Sequence, residues 1–287
     1  MARYSWYPMS ESSDQPAEAD SRRLRDLIDS SSDLIGAVTG GAIGLVGGPA
    51  GSIGGAAAGV AITKTIRRVG VEVYDRLLVP RQQERVGTVL AVALDDAQAR
   101  AEQGAEIRDD GFFDSGEGQR SDADELLEGV LLQAANAYQE RKLRHLGAIL
   151  PSLAVRQDVS AADGHWLARL ADRLTWRQFV VLAIFAEPPE ERVLQRDIDR
   201  DEGRAAGPAG GLRQEVEELA TFGLLGVVDS NGEPTSAGST WESASGMWGV
   251  PMARWRMTGQ GCLLVDVARL DDISAAERAG ILDDLLA

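Results

Sequence analysis

The chain of 287 residues has one cysteine, two histidines and few aromatic side chains, only 5% of the total. Cys262 alone can form neither an internal disulfide nor a thiolate cage for a metal, so cysteine usage gives no sign of an oxidising compartment. A bacterial-type cytoplasm is the default expectation. Positive charge is also scarce. Its 29 basic against 45 acidic side chains leave a net charge of −16, a field that opposes phosphate contacts and makes nucleic acid a poor main partner. The first 33 residues lack the apolar stretch of a secretory signal, because Glu11, Asp14, Glu18 and Asp20 precede the first uncharged run. Glycine, by contrast, is abundant, with 32 residues. The length suggests about two domains, and 44% apolar residues can build a core for each.

Residues 1–20 are polar and acidic, with too little apolar content to offset backbone ordering, and are expected to form a mobile arm. From Ser21, the spacing of Leu24, Leu27 and Ile28 predicts a short amphipathic helix. The N-terminal helical region is taken to run over 21–103. It contains an uncharged run at 34–63, and the helix after that run is broken near Pro80, with Val86, Val89, Leu90, Val92 and Leu94 on its second half. The acids and glycines of 104–123, relieved only by Phe112 and Phe113, read as an exposed linker and domain boundary. A helical and winged-helix-like domain over 124–287 follows. It should open with one long helix whose row is Leu126, Val130, Ala134, Tyr138, Lys142 and Leu146, stopped at Pro151. Two helices capped by Ser or Thr come next, over SAADGHWLARLADRL and TWRQFVVLAIFA. The order helix, β-prone stretch, Gly-rich loop (Asn231 to Gly249), MARWRMT strand and helix is that of a winged-helix module. The expected class is mainly α: a glycine-zipper hairpin, a helical bundle and a winged-helix-like end.

Within the run, Gly36, Gly40, Gly44 and Gly48 fall every four residues, as do Gly47, Gly51, Gly55 and Gly59. On helices each set forms a smooth ridge, and the ridges meet at Gly47-Gly48-Pro49. Glycine costs about 1 kcal/mol relative to alanine at each helical position in water, so such a helix needs a reward for close backbone approach. Helix packing in lipid supplies one, which makes repeated small-xxx-small spacing a membrane-packing signal. As one helix the thirty residues would extend roughly 45 Å, enough to span the ~30 Å hydrocarbon core with tilt. Folded at Gly47–Pro49, each arm would reach only about 21 Å, too short to cross alone. Basic flanks on both sides, Arg22, Arg23 and Arg25 before the run and Lys64, Arg67 and Arg68 after it, favour the hairpin under the positive-inside tendency. They would face anionic lipid while the acidic body stays in water. An Ala/Gly-rich hairpin buried in a soluble bundle, or a flexible linker, would also be uncharged. A linker would use serine where this run has Ile35, Val38, Ile43, Leu45, Val46, Ile53, Val60 and Ile62. Neither nucleotide-loop pattern fits: no two glycines in 36–59 are two apart, and Lys64 follows Thr63 without a Gly-Lys-Ser/Thr sequence.

The rest of the chain offers little chemistry. His145 and His165 have no second ligand at metal spacing and read as structural or surface residues. Cys262, within GCLLVDV, reads as a small core residue. The pairs Asp95-Asp96, Asp109-Asp110 and Asp271-Asp272 splay apart as surface charges do. In the recognition-helix position, Arg213 stands among Glu215, Glu217 and Glu218, which phosphate would repel; only Arg254 and Arg256 have the sign for DNA. Trp241, Trp248 and Trp255 suit core filling or an aromatic contact patch. No catalytic residue, metal or cofactor is expected, and the chain is not read as an enzyme.

A glycine zipper followed by ELLEGVLLQAANAYQERKLRHLGAIL, LTWRQFVVLAIF and a winged-helix-like end resembles bacterial abortive-infection and anti-phage defence proteins, including the Abi-alpha group. The resemblance implies a cytoplasmic protein that associates with the inner membrane and damages or depolarises it when infection is sensed, with no catalytic residues. The expected interface is then Gly36, Gly40, Gly44, Gly48, Gly51, Gly55 and Gly59. Its partners would be anionic lipid, further copies of the chain and a sensor protein. The alternative is a soluble winged-helix adaptor that uses the hairpin to oligomerise.

Overall fold

The computed structural model describes residues 53–77, 79–187, 210–229 and 254–286, and these are mainly α-helical. The expected arm over 1–20, the helix after Ser21, the zipper up to Gly51, the helix over RVLQRDIDR and the Asn231–Gly249 loop lie outside them. Helix α1 (Ile53–Arg76) buries Ile62, Ile66, Val69 and Val73, one row spaced by four, three and four residues. Helix α2 (Pro80–Glu102) starts at Pro80, a first-turn position where a missing N–H costs nothing. It packs along α1 and buries Val86, Val89, Leu90, Ala93 and Ala97. A Schellman motif ends α2: Gly104 donates to the Ala101 carbonyl and Ala105 to that of Arg100, with Gly104 at φ +73°.

Residues 104–121 hold no helix or strand, and 114–119 are exposed as their composition suggests, but Arg108 and Phe112 are buried. The Arg108 backbone N–H donates to Ala154, its guanidinium pairs with Asp110, and it lies 4.4 Å from the ring of Phe112, which is itself buried. An arginine stem and two phenylalanines in edge contact fasten this segment to the end of a helix far along the chain.

Helix α3 (Asp122–Asn136) opens with a capping box. Asp124 N–H donates to the Ser121 hydroxyl, and Ser121 N–H donates to the Asp124 carboxylate. The single long helix expected here is broken. Ala137 turns to an extended conformation, a 3-10 turn covers Glu140–Lys142, and α4 runs over Leu143–Leu153. At the break Arg85 donates to the freed Ala135 carbonyl, and the Gln139 side chain reaches across the fold to accept from the Trp176 N–H. Tyr138, placed on the buried row by periodicity, is 80% exposed. Pro151 does not stop α4 but sits within its last turn, where it forfeits a single helical bond.

Helices α5 (Ala161–Arg173) and α6 (Trp176–Ala186) carry the expected caps, Ser160 and Thr175, the latter in a capping box with Gln178. Helix α6 is apolar on every side and buried from Phe179 to Phe185, as a central helix must be. Around it lie α7 (Gly210–Thr221), α8 (Gly259–Val267) and α9 (Ala275–Leu286). Strands β1 (Leu225–Val227) and β2 (Trp255–Met257) pair antiparallel, with Leu225 opposite Met257 and Val227 opposite Trp255. Cys262 is exposed rather than in the core, because α8 turns Gly261, Leu264, Val265 and Val267 inward. The buried core is continuous from Ile62 on α1 to Leu285 on α9.

Candidate functional site

Of the expected interface, Gly36, Gly40, Gly44, Gly48 and Gly51 lie outside the described residues, as do Arg22, Arg23 and Arg25. Gly55 and Gly59 fall in the first two turns of α1, and the helix continues from them into the core without interruption. Val60 is 65% exposed, and Lys64 and Arg67 are exposed on the same outward side, opposite the buried Ile62–Val73 row. Among the described residues no helix is long and apolar enough to cross a membrane.

Charge fixes the outer flank of α1 to the body. Arg68 pairs with Asp124, so one buried carboxylate both caps α3 and holds α1. Burial pushes the Asp124 pKa up, but hydrogen bonds from Arg68 and Ser121 outweigh it and leave the group below its usual value. One turn further on, Glu72 accepts two bonds of 2.7 Å from Arg120 and pairs with Arg76, and both arginines also reach Glu128.

At the other end of α3 the helix break opens a cleft of about 510 Å³, whose lining includes Gln133, Tyr138, Lys142, Asp172 and Arg173. The chain has two lysines, Lys64 and Lys142, and the second is buried. Its ammonium donates to the carbonyls of Asp172 and Leu174, 2.6 Å away in each case. It thereby caps the C-terminal end of α5, where carbonyls have no helical partner. Burial pulls its pKa down to about 8, against the opposing charge of Asp172.

His145 is a structural residue. Its Nδ1 lies 2.8 Å from the Ala268 carbonyl and its Nε2 accepts from Arg144 Nε at 2.9 Å, while Trp176 and Phe179 flank the ring. Burial first, and then the Arg144 charge, lower its pKa to about 4, so the ring is neutral with the proton on Nδ1. His165 is half-buried on α5.

The paired carboxylates do diverge, though unequally. Asp95 is exposed, but Asp96 is buried between Arg100 and Arg269, the latter in a left-handed conformation at φ +51°. Asp109 bonds Gln157 and Asp110 bonds Arg108, while Asp271 and Asp272 are exposed. On α7 Glu215 reaches Arg177, and Glu218 accepts from Gln178 and Gln214. Burial raises the pKa of Glu215 and of Glu217. Arg254 donates to the Val228 carbonyl and Arg256 to that of Trp255, which is buried; Trp241 and Trp248 lie outside the described residues. Among the described residues no three His, Cys, Asp or Glu side chains gather as a metal site.

Periodicity put Lys142 on an apolar row without giving it a task, and Ser121-x-x-Asp124 was a readable cap that composition obscured. No family model matches the chain, and no curated protein or solved structure matches it.

Proposed function

We propose that the uncharged run at 34–63 is the acting segment of a membrane-associating glycine-zipper effector, of the kind that serves abortive infection in bacteria. Copies assemble ridge to ridge at the inner membrane and perturb it when a partner or signal releases them. The observation that carries this reading is the course of α1. The tail of the glycine run enters a helix that is gripped on one side by Ile62, Ile66 and Val69 and presents Val60, Lys64 and Arg67 on the other. A docked helix with an outward apolar and basic face suits a body that holds the zipper beside anionic lipid.

Sedimentation of the full chain with vesicles of phosphatidylglycerol tests this. Lys64→Glu with Arg67→Glu should weaken partitioning by at least about tenfold, given roughly 1 kcal/mol for each basic residue near such a surface. Equal sedimentation of the variant and the parent would count against it.

The order α7, β1, β2, α8, with antiparallel strands, favours a second reading in which a winged-helix-like end makes the protein a soluble adaptor. Recovery in the soluble fraction with an unchanged oligomeric state, even when the defence response is triggered, would favour the adaptor.

A further inference from the structure

The cleft at the end of α3 is separate from the glycine segment. Arg68 of α1 meets Asp124 at the start of α3 and Arg76 meets Glu128 further on, so the two helices run side by side and the zipper end of α1 lies away from Gln133 and Tyr138. At about 510 Å³ the cleft has the size of a small-molecule site rather than of a protein groove.

Its polar groups are incompletely used. Lys142 spends two of its three N–H donors on carbonyls, and among the described residues no carboxylate lies within ion-pair distance of its Nζ. Across the same wall, Arg173 has the Phe222 ring as its neighbour, 5.1 Å from the guanidinium carbon, and forms no ion pair among the described residues. Both cations line the same cleft, in a chain of net charge −16. The buried Oε1 of Gln133 accepts from nothing, and the Asp172 carboxylate stands at the rim. The buried Gln133 oxygen lacks a donor. An unpaired buried acceptor is costly, and an incoming N–H or O–H would offset that cost. Tyr138 leaves its ring almost wholly exposed beside them.

We infer that this cleft binds a small molecule that carries an oxyanion, phosphate or carboxylate, together with an N–H or O–H donor. The oxyanion meets Lys142 and Arg173, the donor meets Gln133, and any flat ring lies against Tyr138. The inference stands apart from the membrane reading, since binding is measured on the full chain in the absence of lipid.

Calorimetry and thermal denaturation with AMP, adenosine, inorganic phosphate and L-glutamate, at matched ionic strength, form the test. At least one of the three oxyanions should bind saturably at concentrations up to about 10 mM, while adenosine does not. Preference for AMP and phosphate identifies a phosphate site, and preference for glutamate a carboxylate site. Arg173→Ser and Gln133→Leu, which leave the Lys142 cap of α5 intact, should each weaken binding by about tenfold. The bound molecule should also slow acetylation of Lys142 relative to Lys64, a comparison that two lysines make easy to read by mass spectrometry. Absence of saturable binding by all three oxyanions overturns the inference. So does binding that both folded variants retain in full without protection of Lys142.

Discussion

Gly147 on α4 lies against Val89 on α2 so closely that a Cβ at position 147 would come within 2.9 Å of the Val89 carbonyl oxygen and 2.8 Å of the Val92 Cβ. Main chain, not a pliant side chain, sets that limit, so α2 and α4 cross at a distance that only glycine permits.

Gly147→Ala should therefore destabilise the fold by about 1–3 kcal/mol, the usual range for overpacking a tight core. Gly70→Ala, which would meet the flexible end of Leu90, should cost less. Urea denaturation of both variants beside the parent checks the order. Equal midpoints would show that α2 and α4 can move apart freely.

His145 predicts an acid-sensitive component of stability. The folded protein holds its pKa at about 4 and the unfolded chain near the ordinary value of 6.5, so the unfolded state binds more protons between those values. Stability from this group is full above pH 6.5 and falls, by about 3 kcal/mol at most, as pH drops to 4. His145→Phe should remove that pH dependence, so the stability difference between the two proteins should change with pH over that window. A parallel pair of stability curves would contradict the burial argument.

Lys142 predicts a slope of the same sign at high pH. Its pKa is about 8 when folded and 10.5 when unfolded, so the unfolded chain again binds more protons and stability rises between those limits. Lys142→Met should remove that rise and, by stripping the Asp172 and Leu174 carbonyls of their donor, lower stability at pH 7. Chemical denaturation from pH 7 to 10 compares the two.

Much of the helical body was readable in the chain. Pro80 marked a break in the helical run, and Ser160 and Thr175 marked helix starts, all for local reasons that the fold follows. The break at Ala137 was not readable, because QAANAYQERKL satisfies the helical period. It arises when Lys142 turns inward to cap a helix about thirty residues later, a partnership no local window contains. The anchoring role of Arg108 and Phe112 was not readable for the same reason: their partner, the end of α4, is distant in sequence. Cys262 was misplaced by the apolar residues on both sides of it, which hid a one-sided helix.

Asp124 links the start of α3 to α1, so its loss should act on both. Asp124→Ala is expected to cost about 2 kcal/mol, from a lost cap and a partly buried ion pair. It should raise hydrogen exchange in the outer turns of α1 well before the core of α6 responds. Uniform exchange across both helices would mean that α1 is not held by this carboxylate.

The account turns on the glycine run acting in lipid. Gly44 and Gly51 each have a glycine four residues before and after, so replacing both with leucine fills each ridge at its middle. Dye release from phosphatidylglycerol vesicles by the full chain measures the consequence. The account predicts strong release by the parent and little by the Gly44→Leu, Gly51→Leu variant, with the thermal transition of the helical body unchanged. Equal release by both proteins, or none by the parent even when its partner is supplied, would contradict it.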